Sequence, residues 1–78
     1  MHDMPENQLS KLKNDYHELV GATDVLTTLR EEFEQWVEEA QNDSKREALE
    51  NVLGHVENME SQYTHRRDEA RQQLEGKG

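Results

Sequence analysis

His65 and Glu69 stand four residues apart, the spacing that puts two side chains one above the other on a helix face, where a metal could bridge them. The rest of a ligand set is missing from the pattern. His17 and His55 have no ligating residue three or four positions away, and no Glu-x-x-His occurs, so the di-iron bundle signature is absent. His17 and His65 would approach each other only if the chain folds back on itself. One His–Glu pair arises readily by chance, so surface histidines are expected, with no metal and no cofactor. Serine, threonine and tyrosine offer no nucleophile with a placed base, and no glycine-rich phosphate loop is present. Catalysis is not expected.

Two charged groups point instead to binding. The run Glu31-Glu32-Phe33-Glu34-Gln35-Trp36-Val37-Glu38-Glu39 sets the single tryptophan among acids. Trp36 would supply apolar area, and Glu31, Glu34, Glu38 and Glu39 would select a basic partner. The competing reading packs Trp36 into the core and leaves the glutamates as helix-forming surface. Arg66, Arg67 and Arg71 form a basic group, but Asp68, Glu69 and Glu75 surround it, which favours ordinary ion pairing over phosphate binding.

The elements that position these residues follow from the apolar spacing. Leu9, Leu12, Tyr16, Leu19, Leu26, Phe33, Val37 and Ala40 follow helical steps of three and four. After Gln41-Asn42-Asp43 a second row runs through Leu49, Val52, Val56, Met59 and Tyr63. The chain is therefore expected to be all-α: an antiparallel helical hairpin of two long helices. Helix one spans about 6–40, the loop 41–44 and helix two about 45–74, within a hairpin of 6–75. Residues 1–5 and 76–78 are tails. Ser44 with Glu47 matches a capping box for the second helix. Lys45 and Arg46 would partly neutralise the acidic end of the first. Gly21 and Gly54 are weak points, since interior glycine costs about 1 kcal/mol relative to alanine. Helix one is expected to continue through Gly21, because the stripe keeps its phase there.

Folding back at residues 42 and 43 sets Phe33 near Val52, Leu26 near Met59 and Leu19 near Arg66. The expected core is Leu19, Leu26, Phe33, Val37, Leu49, Val52, Val56 and Met59. Arg30 and Arg66 fall on stripe positions, where a charge is costly unless paired but can fix register. That register sets His55 opposite Arg30. Ala22, Leu29 and Trp36 form a second row beside the main stripe. A face this wide suits a bundle of three or four helices, so assembly into a dimeric four-helix bundle is expected.

Composition bounds the function. Acids outnumber bases 18 to 9 and the net charge is −9, which disfavours direct contact with nucleic acid or an anionic membrane surface. Cysteine is absent, so no disulfide can compensate for a thin core. No secretory signal pattern and no run of about 20 apolar residues occurs, which implies a cytoplasmic protein or a virion component. The expected function is a non-enzymatic structural or interaction module, a homodimer that binds or regulates another protein of basic or apolar surface. The alternative is an acidic inhibitor that mimics nucleic acid and occupies a basic cleft. Salt separates the two, because a charge mimic loses affinity steeply as salt rises.

Overall fold

A computed structural model describes residues 6–77 as two helices, α1 (Glu6–Glu39) and α2 (Asp43–Lys77), with no strand among the described residues. The helices pack along their lengths into a rod whose Cα atoms span 61 × 14 × 14 Å. The expected tails 1–5 and residue 78 lie outside the described residues. At the C-terminal end the helix continues past the expected stop, through Gly76 to Lys77. α1 runs unbroken through Gly21.

Burial gives the seam directly. In α1 the shielded positions include Leu9, Leu12, Tyr16, Leu19, Thr23, Leu26, Arg30, Phe33 and Val37, with Ala40 just beyond the helix end. In α2 they include Arg46, Leu49, Leu53, Val56, Glu60, Tyr63, Arg67, Ala70 and Leu74. Both series alternate steps of three and four, the pattern of a left-handed coiled-coil seam. The α1 series is the expected one. The α2 series corrects the expected core at two places: Val52 and Met59 are exposed, and Leu53 and Glu60 take the seam. Each displaced apolar residue stands one position before the seam residue, about 100° round the helix.

The core is thin. Among the described residues only Leu26, Val56, Ala70 and Thr23 are buried, and none of the large side chains is fully enclosed. Leu19, Phe33, Val37 and Leu49 are half-buried. Thr23 satisfies its hydroxyl locally by donating to the Leu19 carbonyl at 2.7 Å. No buried side-chain polar atom among the described residues lacks a partner.

The reversal uses Ala40, Gln41 and Asn42. Asn42, not Ser44, caps α2: its Oδ1 accepts from the Lys45 amide at 2.8 Å, and its carbonyl accepts from the Arg46 amide at 3.1 Å. The capping box is thus displaced by a cap two residues earlier. α1 carries no base in its last turn, where the dipole favours one. Arg46 supplies it from the other helix, donating to the Ala40 carbonyl and to Asp43, each at 3.1 Å.

Candidate functional site

The seam places one polar layer near its middle. Arg30 Nε donates to Glu60 Oε1 at 2.7 Å, and the Thr27 hydroxyl donates to Glu60 Oε2 at 2.6 Å. Arg30 also reaches Glu34 at 3.0 Å. The Thr27 hydrogen bond holds the Glu60 carboxyl below its usual range, against partial burial, and Arg30 adds to the effect. Arg30 is raised, first by its hydrogen bond to Glu60. The pairing differs from the expected one. Glu60, not His55, is the partner of Arg30, and His55 is exposed.

The two long sides of the hairpin differ in chemistry. A groove of about 410 Å³ is lined by Asp15, Glu18, Leu19 and Ala22 of α1 with Tyr63 and Arg66 of α2. It shows that the columns containing Ala22 and Arg66 flank the seam on the same side. Steps of seven from Ala22 reach Leu29 and Trp36, and from Arg66 they reach Met59, Val52 and Lys45. Val25 adjoins this side, since Val25 and Leu29 line one shallow depression. The four large hydrophobic residues that the described chain leaves most open, Val25 (60% exposed), Trp36 (45%), Val52 (43%) and Met59 (46%), therefore share one face. The opposite side carries Lys13, Thr27 and Glu34 from α1 and Glu50, Glu57, Thr64 and Arg71 from α2, which is polar throughout except for Val20.

The expected partner-binding residues divide between these sides. Trp36 lies on the apolar face, with its ring edge-on to Phe33 at 5.0 Å. Glu39 is three positions on and lies beside it, accepting from Gln35 at 3.2 Å. Glu34 is turned away and tied to Arg30. Glu31 and Glu38, five before and two after Trp36, also fall on the far side of α1. The acids do not converge on the tryptophan. Sequence spacing named Ala22, Leu29 and Trp36 but missed Val25, Val52 and Met59 as members of the same face. The column of Val52 and Met59 becomes legible only once the α2 seam is set through Leu53 and Glu60, whereas Val25 stands four positions before Leu29 on α1 itself.

The basic group is also dispersed. Arg66 stacks over the Tyr63 ring at 5.2 Å, Arg67 pairs with Asp68 at 3.1 Å, and Arg71 is exposed. His65 Nε2 lies 2.8 Å from Glu69, and no cluster of three metal-ligating residues occurs among the described residues. No described helix is long and apolar enough to cross a membrane. Compared with protein-family models, curated proteins and solved structures, the chain matches none.

Proposed function

We propose that this protein is a non-enzymatic interaction module: a helical hairpin that self-associates into a dimeric four-helix bundle and presents its remaining acidic surface to another protein. The observation that carries the reading is the one-sided placement of Val25, Trp36, Val52 and Met59 beside Ala22 and Leu29. A rod with so few buried side chains gains most by covering that face, because apolar area removed from water is worth about 25 cal/mol per Å². The apolar stretch from Ala22 to Trp36 is about 21 Å long at 1.5 Å per residue and roughly two helix diameters wide, about half of the ~800 Å² per partner of a standard interface, so the contact would extend over the flanking charged positions as well. Glu31, Glu34, Glu38, Glu50 and Glu57 stay outside such a contact, where they would steer a basic partner. The same acids support the alternative of a nucleic-acid mimic.

Sedimentation equilibrium tests the first reading. The expected mass is about twice the 9.2 kDa of the chain at micromolar concentration. Trp36 is the only tryptophan, so its emission should shift to the red as dilution dissociates the dimer. A folded species of single chain mass at every concentration, with unchanged emission, refutes self-association.

A further inference from the structure

We infer that the occupant of the apolar face is a second copy whose loop lies at the same end, so that α1 of each copy covers α2 of the other. This orientation rests on the self-association proposed above and goes beyond it. Two twofold axes can bring the face onto itself. An axis along the rod sets α1 over the partner's α2, whereas an axis across the rod sets like helix over like.

Charge at the edges of the face decides between them. On α1 the edges are acidic, with Glu18 toward the open end and Glu39 toward the loop. On α2 the charges left without a partner beside the face are basic, Arg66 toward the open end and Lys45 at the loop, while Glu69 on the same edge lies 2.8 Å from His65 Nε2. None of Glu18, Glu39, Arg66 and Lys45 makes an ion pair within the described hairpin, although Glu18 and Arg66 line one groove.

Contacts across the seam set the levels. Thr27 bonds to Glu60 and Arg46 to the Ala40 carbonyl, and Leu19 and Ala22 share the groove with Tyr63 and Arg66. Counting from these pairs toward the loop puts Trp36 level with Leu49, between Ala48 and Val52. It puts Val25 level with Met59, and Glu39 level with Lys45. With the lengthwise axis, Trp36 seats between the partner's Ala48 and Val52. Glu18 then meets the partner's Arg66, and Glu39 the partner's Lys45. With the crosswise axis through the middle of the apolar patch, Glu39 falls beside the partner's Glu18, and Lys45 beside the partner's Arg66. Opposite charges meet in the first arrangement and like charges in the second.

The Arg66→Glu variant of the full chain separates the cases by its dimer dissociation constant at low salt. In the same-end arrangement it sets acid against Glu18 at two symmetric contacts, and the constant should rise about tenfold. Adding Glu18→Arg should restore it. In the opposite-end arrangement Arg66→Glu would meet Lys45 and tighten the dimer, which overturns the orientation; an unchanged constant overturns it equally. A second measurement does not depend on these charges. The chain has no cysteine, so Glu18→Cys and Arg66→Cys chains can be mixed in a glutathione redox buffer and weighed intact. A mixed disulfide of Glu18→Cys with Arg66→Cys is expected. Its absence, with cross-linking of Glu18→Cys to Glu39→Cys instead, refutes the same-end dimer while leaving self-association standing. A parent chain of single mass by sedimentation refutes both.

Discussion

Leu26 and Val25 are neighbours in sequence with opposite fates, and truncating each tests where the seam runs. Leu26 is 7% exposed and Val25 60%. Leu26→Ala removes three carbons from the seam. At about 0.8 kcal/mol per buried CH₂ this costs roughly 2.4 kcal/mol. The cavity penalty adds little, because a gap between only two helices opens to water, so the cost stays near the low end of the ~2–5 kcal/mol for leucine truncation. Val25→Ala removes two carbons that are mostly wet already, a cost of about 0.6 kcal/mol. Alanine's better helix propensity offsets about that much. A domain this size has a total stability of about 4–12 kcal/mol, and each kcal/mol moves the midpoint by about 4–8 °C. Thermal melts followed by far-ultraviolet circular dichroism should therefore show Leu26→Ala lowered by about 10–20 °C at every concentration. Val25→Ala should melt like the parent below the concentration at which the parent dimer dissociates, and fall behind it at higher concentration as the parent gains stability through dimerisation. If Leu26→Ala melts within about 3 °C of the parent, or Val25→Ala is equally damaged in dilute solution, the seam runs along another face.

Further outcomes follow from the loop, the glycines and the polar layer. Asn42→Ala should cost about 1 kcal/mol by removing the cap of α2, whereas Ser44→Ala should be nearly silent; a denaturant titration showing the reverse order would reinstate the later cap. A Cβ built at Gly21 or Gly54 meets nothing within 4 Å and neither has positive φ, so each change to alanine should stabilise by about 0.5–1 kcal/mol. A loss of stability at either position would show a close approach that the hairpin lacks. Glu60 is depressed in the folded chain, so its contribution is complete above the ordinary glutamate value of about 4.3 and is lost as pH falls through the lower folded value. Glu60→Gln should flatten the acid limb of the melting-temperature profile, and parallel profiles for variant and parent would contradict the assignment. Arg30 is shifted upward from an already high value, so it adds no pH dependence in the working range.

The sequence made α1 legible and misled about α2 for one physical reason. In α1 the apolar residues lie in the seam or in a column beside it, and the stripe passes through Arg30 without losing phase. In α2 the seam carries Glu60 and Arg67, while Val52 and Met59 stand just outside. An apolar stripe drawn through α2 therefore slips by one residue twice. Nothing local reveals that Glu60 belongs inside, because its partners Thr27 and Arg30 are about thirty residues away on the other helix. The reversal, expected at 41–44, uses 40–42, and both Asn42 and Ser44 are good caps by type. Arg46 favours the earlier start: from a helix beginning at Asp43 it reaches the Ala40 carbonyl. The acidic cluster around Trp36 read as one patch only because its members are close in sequence, and helical geometry distributes them around the rod.

The described ends of both helices, Glu6 and Lys77, lie together at the end of the rod opposite the reversal. Anything joined to either end of the hairpin would leave it from the same place. A pull that separates the two ends loads the seam layers one after another, starting at Leu9, Leu12 and Leu74, instead of all at once. The hairpin is then a zipper held at its closed end by Asn42 and Arg46, with the Arg30–Glu60 clasp partway along. It yields to tension by peeling from the open end and closes again from the three-residue turn.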